Sequence, residues 1–185
     1  MLHLVTIIFS QQLGANDSKA CSDAIVAVTK CSNSIPLREA SGAFSGPDEV
    51  NPSSFSKERC TTCSTQVSTY FTACFSGSAL QYMQNANTLL CTQTNGNYCA
   101  STFNGTTLPA FDCNSACDVK WASQLNQVQT QWVAAGMSLN DDAKSKLTPT
   151  GWTPAEVDSK CGKGYIEKNS ASILYSLPLY YISFQ

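Results

Sequence analysis

The chain has 185 residues, of which 11 are basic and 13 acidic, so its net charge is −2 at neutral pH. It has no basic run, which argues against nucleic acid and anionic membrane surfaces as partners. Charged residues make up only 13% of the chain, about half the usual share. Solubility must therefore come from neutral polar side chains, as is typical of extracellular glycoproteins.

The N-terminal segment predicts export. An apolar stretch, Leu2–Phe9, is followed by Leu13-Gly14-Ala15, which fits a signal peptide over residues 1–15 cleaved after Ala15. A buried N-terminal strand is the alternative, because no Lys or Arg marks the start of the segment. The chain's one histidine, His3, lies in this leader, so we expect a mature protein without histidine.

The first helix of the mature chain is predicted to begin near Asp17 or Ser18. Its inward face repeats at spacings of three and four residues, and consists of Cys21, Ile25, Val28 and Cys31. Residues 32–56 are rich in Ser, Gly and Pro and predict a long loop, with Phe44 and Val50 contacting the body of the protein.

A second helix is predicted after Ser56, with one almost regular buried stripe of Cys60, Cys63, Val67, Tyr70, Phe71 and Cys74. Ser76-Gly77 ends it, and a third helix follows over residues 78–91. The inward positions of the third helix are Leu80, Met83, Ala86 and Leu90. Asn95-Gly96 predicts a turn, without the alternating pattern of a longer β-hairpin.

The fourth predicted helix has Asp112 as its N-cap and ends at Gly136. Its buried stripe is Cys113, Cys117, Trp121, Leu125, Val128 and Trp132. The last predicted helix begins with a capping box, Thr153-Pro154-Ala155-Glu156, and a hydrophobic staple of Trp152 and Val157. It ends at Gly162.

These elements predict an all-α protein. We expect a compact bundle of about five helices with long loops, cross-linked by about five disulfides. The disulfide-rich helical domain is assigned to residues 16–168 and an apolar C-terminal tail to residues 169–185. The tail has four interpretations: a packed extended segment, a partner surface, a glycolipid-anchor signal, or an out-of-frame end of a gene model.

Ten cysteines are the strongest indication of the compartment, because such a number persists where thiols are oxidised. We expect all to form disulfides; an all-cysteine zinc site and a redox pair are the alternatives for Cys60/Cys63 and Cys113/Cys117. Cysteines one helical turn apart are expected to bond to other helices rather than to each other. The ten are Cys21, Cys31, Cys60, Cys63, Cys74, Cys91, Cys99, Cys113, Cys117 and Cys161.

Two sequons, at Asn16 and Asn104, predict N-glycosylation, with Asn104 the better exposed because Asn-Gly favours a turn. No cofactor or metal is predicted. We expect no catalysis, because histidine is absent from the mature chain and the acidic pairs fit helix starts or exposed loops. Those acidic residues are Asp48-Glu49, Asp112, Asp118 and Asp141-Asp142.

The leader, the pairs Cys60-x-x-Cys63 and Cys113-x-x-x-Cys117, and the stretch Asn95–Cys99 make the chain similar in style to small secreted cysteine-rich proteins of fungi. The resemblance implies a location rather than an activity. The cysteine spacing does not match that of eight-cysteine surface modules or hydrophobins.

The sequence therefore predicts a secreted or cell-surface protein that acts by binding a protein or glycan partner, or as a structural module. One alternative is a carrier of an apolar ligand such as a sterol or fatty acid, in a cavity lined by Phe71, Met83, Leu90, Trp121 and Trp132. Solid core is the other interpretation of those five residues. A second alternative is a histidine-free hydrolase that uses carboxylates.

Overall fold

The computed structural model describes residues 18–35, 37, 50–103, 108–134, 145 and 147–174. In these residues the protein forms seven α-helices and one short hairpin, which confirms the all-α prediction. The leader, most of the loop over residues 32–56, Phe44, Gly136 and the end of the tail lie outside the described residues.

The first helix, α1 (Lys19–Cys31), starts where the sequence indicates. The Ser18 hydroxyl accepts a hydrogen bond from the Cys21 amide at 3.2 Å and so caps the helix. Val28 is buried as expected. Farther along the chain, Val50 is also buried and begins the return to the helical body through a short 3₁₀ turn, Pro52–Ser54.

The second predicted helix is divided in two: α2 (Lys57–Cys60) and α3 (Ser64–Cys74). A continuous helix would hold Cys60 and Cys63 on one face. These two cysteines bond instead to different helices, Cys60 to Cys91 and Cys63 to Cys31. The turn between α2 and α3 lies between the two cysteines, so each can bond to a different helix.

Helix α4 (Gly77–Leu90) leads directly into a two-stranded hairpin. Strand β1 (Gln93–Thr94) pairs antiparallel with β2 (Asn97–Tyr98) around Asn95-Gly96, both of which have positive φ. Positive φ at both central residues is the geometry that favours Asn-Gly in tight hairpins. Strands of two residues are too short to show an alternating pattern, which explains why only the turn was predicted.

A 3₁₀ turn, Cys99–Thr102, precedes the longest helix, α5 (Ala116–Ala134). The prediction of Asp112 as the N-cap of this helix was wrong. The Ser115 hydroxyl takes that place by accepting from the Asp118 amide at 3.1 Å, while Asp112 accepts from the Asn114 amide in the preceding turn. Cys113 consequently lies before the helix rather than on its stripe.

Helix α6 (Pro154–Cys161) has the predicted capping box between Thr153 and Glu156, and Gly162 follows it with a φ of 107°. A further helix, α7 (Tyr165–Leu174), was not predicted. Asp158 initiates it, because its carboxylate accepts from the Gly164 and Tyr165 amides at 2.8 and 2.9 Å. Helix α7 packs on α5 and continues past Lys168 into the segment predicted as the tail.

All ten cysteines are paired, as predicted, and the pairs fall into two separate groups. Three disulfides lie within the segment that runs from α1 to the end of α4: Cys21–Cys74, Cys31–Cys63 and Cys60–Cys91. Two others hold the later elements together: Cys99–Cys117 and Cys113–Cys161. No disulfide therefore connects the first group to the second.

The two groups meet where α4 packs antiparallel against α5, a junction that we call the seam. The rings of Tyr82 and Trp132 lie edge to face with centroids 4.9 Å apart. One turn along, Asn85 donates to the Gln131 side chain at 2.5 Å, and near the other end Thr92 donates to Gln124. The buried side chains of both groups form one continuous core across the seam.

The second group has its own aromatic cluster beside this core. Phe103 packs edge to face on both Trp121 and Trp152, and Phe111 also packs edge to face on Trp152. The indole N–H of Trp152 donates to the Pro109 carbonyl at 2.7 Å. This cluster fixes the start of α6 against α5.

Replacing Trp132 by Ala should lower the free energy of unfolding by about 3–5 kcal/mol, because it leaves a cavity in the seam. Val133→Ala is the matched control: Val133 is adjacent but 57% exposed, so its loss should change stability by less than about 0.5 kcal/mol. Urea unfolding of the oxidised protein measures both. If both substitutions lowered the free energy of unfolding by the same amount, packing at the seam would not limit the stability of the protein.

Replacing Thr153 by Ala should cost about 1 kcal/mol, because the variant loses the hydroxyl that accepts from the Glu156 amide. Ser159→Ala, at an exposed position of the same helix, should leave the melting temperature nearly unchanged. The capping role would be refuted if the two variants had the same melting temperature.

Glu156 should make helix α6 sensitive to acid. Hydrogen bonds from the Thr153 side chain, the Thr153 amide and the Gly151 amide hold the pKa of its carboxyl below the ordinary value. A lowered folded pKa means that the stabilisation is present above the unfolded pKa and is lost as pH falls through the folded one. The stability difference between wild type and Glu156→Gln should shrink from about pH 7 to about pH 3 in denaturant titrations; a constant difference would contradict this.

Candidate functional site

A pocket of about 380 Å³, lined mainly by polar residue types, opens at the seam. It lies between the α2–α3 turn, the C-terminal end of α4, the first hairpin strand and α5. The described side chains that line it belong to both disulfide groups: Arg59, Cys60, Ser64, Asn87, Thr88, Cys91, Thr92, Gln93, Lys120 and Gln124.

Arg59 forms the inner part of this seam pocket. Its side chain is only 2% exposed, and its Nε donates to the Asn87 Oδ1 at 2.7 Å. The guanidinium also lies 5.8 Å from the centroid of the Phe71 ring, a cation–π contact. These contacts hold a positive charge at a fixed position beneath the pocket surface.

The opposite wall comes from α5 and the hairpin. Lys120 donates from its Nζ to the Gln93 carbonyl at 3.0 Å. Gln124 accepts from the Thr92 hydroxyl, which also donates to the Thr88 carbonyl at 3.0 Å. The side chains of this wall are therefore positioned by hydrogen bonds across the seam.

The Cys60–Cys91 disulfide lies in the pocket wall and joins α2 to the end of α4. It ties the backbone next to Arg59 to the helix that carries Asn87 and Thr88. The first-group side of the pocket is thus covalently braced.

The five residues assigned to an apolar ligand cavity lie elsewhere. Each is at most 4% exposed and belongs to the continuous core, and none of them lines the seam pocket. Trp132 packs on Tyr82 and Trp121 on Phe103. The structure accordingly places these side chains against other protein side chains, as the solid-core interpretation expects.

Five of the described carboxylates accept hydrogen bonds from backbone amides or hydroxyl groups: Glu58, Asp112, Asp118, Glu156 and Asp158. Asp118 accepts from the Asp112 amide and the Ser115 hydroxyl, at 2.9 and 2.5 Å. Glu58 accepts from the Ser56 and Ser34 hydroxyls, and the Ser56 hydrogen bond contributes most to lowering the pKa of its carboxyl.

The other candidate sites fall outside the described residues: the sequons at Asn16 and Asn104, Asp48-Glu49, Asp141-Asp142 and the tail beyond Leu174. Within the part of the chain that the structure describes, no group of three His, Cys, Asp or Glu side chains is arranged as metal ligands. None of the described helices is long and apolar enough to cross a bilayer.

No protein-family model, curated protein or solved structure matches this chain. Five disulfides are typical of a stable extracellular protein.

The pocket residues other than the two cysteines were not predicted from the sequence. They come from separate segments, and none belongs to a recognisable motif. The available signals were weak: Arg59 next to Cys60, and Lys120 three residues after Cys117. Cysteines in disulfides fix the backbone around them, so polar side chains beside them were reasonable candidates for a rigid site.

Proposed function

We propose that the protein is an extracellular, non-enzymatic binding module and that the seam pocket is its ligand site. The observation that carries the proposal is the pocket itself, which is lined mainly by polar residues and is braced on one side by the Cys60–Cys91 disulfide. Residues held in place lose little conformational entropy when they bind, so the braced side favours recognition. We expect the ligand to be a glycan or a protein partner.

The polar character of the pocket supports binding by hydrogen bonds and charge rather than by burial of an apolar molecule. Pockets for apolar ligands are lined mainly by hydrocarbon and aromatic side chains. The described lining of this pocket consists of two cations, a disulfide, and hydroxyl and amide groups. The carrier hypothesis has no comparable support at this site.

Binding is tested with a panel of extracellular oligosaccharides, peptides and small metabolites, screened by saturation-transfer NMR against the purified oxidised protein. Thr88→Trp should weaken the binding of a ligand found in this way by at least about tenfold, because an indole would fill the pocket entrance. Recovery of the ligand unchanged after prolonged incubation checks that it is bound and not converted.

Thr72→Trp is the matched control. Thr72 and Thr88 are both exposed helical threonines whose hydroxyls donate to the carbonyl four residues earlier, but only Thr88 lines the pocket. Equal affinity of both variants would place the binding site elsewhere. Chemical conversion of the ligand would contradict the proposal of a non-enzymatic binding module and would indicate an enzyme.

A further inference from the structure

One of the five disulfides, all of whose cysteines the structure describes, lies outside the hydrophobic core. Cys60 and Cys91 are both partly exposed, and neither belongs to the core or packs against it. Cys113 and Cys161 are also partly exposed, but both pack against the core. Each remaining bond contains at least one core cysteine that is at most 1% exposed: Cys21–Cys74, Cys31–Cys63 and Cys99–Cys117.

The same bond forms part of the wall of the seam pocket. Cys60 and Cys91 both line the pocket, and no other cysteine does. The pocket volume of about 380 Å³ is at the lower end of the range of small-molecule pockets, about 300–1,000 Å³. A small molecule that enters the pocket therefore lies next to this disulfide, whereas the other four bonds are covered on at least one side by the core.

We propose that Cys60–Cys91 is a thiol–disulfide exchange site for a small-molecule thiol that enters the seam pocket. The thiolate attacks one sulfur of the bond, forms a mixed disulfide with it and releases the other sulfur as a thiolate. A second thiol then attacks the mixed disulfide, so that two thiols are oxidised to one disulfide and both cysteines end as protonated thiols. Access to the sulfur is one determinant of the exchange rate, and exposed disulfides are the labile ones.

Reduction of this bond loosens one wall of the pocket and leaves the core in place. Helix α2 has four residues, and Cys60–Cys91 is its one covalent link to α4. The hydrogen bond from Arg59 to Asn87 still joins the same two helices. The start and the end of α3 are held independently by disulfides to α1. The exchange site goes beyond the proposed function, because the reaction requires no bound ligand; only a consequent loss of ligand affinity depends on that function.

The test is reduction of the full oxidised protein by glutathione without denaturant, stopped with acid at intervals. Free cysteines are then alkylated and located by peptide mass spectrometry. We expect Cys60 and Cys91 to be labelled at least about tenfold faster than the cysteines of the other four bonds, because access limits exchange in the folded protein. Labelling of any other pair at the same rate or faster, Cys113 and Cys161 in particular, would overturn the proposal.

Thr88→Trp tests whether the thiol reaches the bond through the pocket. The indole should slow reduction of Cys60–Cys91 by about tenfold, because it obstructs the pocket that the bond lines, and should leave the rate at Cys113–Cys161 unchanged. Thr72→Trp, at an exposed helical position outside the pocket, is the matched control and should change neither rate. An unchanged rate at Cys60–Cys91 in Thr88→Trp, or equal slowing at both bonds, would exclude the pocket as the route.

Amide hydrogen exchange measures the local effect of breaking the bond, in protein reduced only at Cys60–Cys91 and in a variant that combines Cys60→Ser with Cys91→Ser. We expect faster exchange in the α2–α3 turn and at the Cys91 amide, which donates to the Asn87 carbonyl at 2.9 Å, with unchanged protection in α1 and α5. Loss of protection throughout both proteins would contradict a local role. None of these measurements uses a pocket ligand, so failure of the ligand screen and failure of the exchange site are distinguishable.

Discussion

The packing of α4 against α5 is the contact on which the rest of the structure depends. Because the disulfides fall into two groups, covalent bonds fix each group internally but do not fix one relative to the other. The position of one group relative to the other is fixed by buried side chains at the seam, with Tyr82 and Trp132 at one end. Disulfides act mainly by restricting the unfolded chain, whereas the seam depends on the burial of apolar surface in the native state.

This division explains where the pocket lies and why it is polar. The apolar core continues across the middle of the seam. At the edge, where α4 ends and the hairpin begins, the contacts change to hydrogen bonds such as Thr92 to Gln124 and Lys120 to Gln93. Polar groups must find partners when they are partly removed from water, so the edge is built from amides and hydroxyls. A cleft at that edge is therefore lined by the same amide and hydroxyl groups.

The sequence predicted the parts of the fold that depend on local chemistry. Ser18, the capping box at Thr153 and the turn at Asn95-Gly96 each act through residues within about four positions, and each was confirmed. Neighbouring cysteines bond to other segments rather than to each other, as expected, although neither pair lies within one continuous helix. The all-α class followed from the spacing of apolar residues.

The parts that failed depend on contacts between distant segments. The break between α2 and α3 accompanies disulfides to two different helices, which periodicity alone does not show. Ser115 replaced Asp112 as a cap because the Asp118 carboxylate engages the Asp112 amide and the Ser115 hydroxyl. Helix α7 was missed because Gly162 indicated an end, while the device that restarts the chain is the side chain of Asp158 in the preceding helix.

The position of the pocket also connects binding to the integrity of the fold. Arg59 lies in α2 beside Cys60, which is bonded to the end of α4, and Lys120 lies in α5 beside the Cys99–Cys117 bond. A ligand in the pocket would contact both disulfide groups at once. A molecule that binds only the folded state stabilises it in proportion to its occupancy, and here it would do so across the junction that no disulfide reinforces.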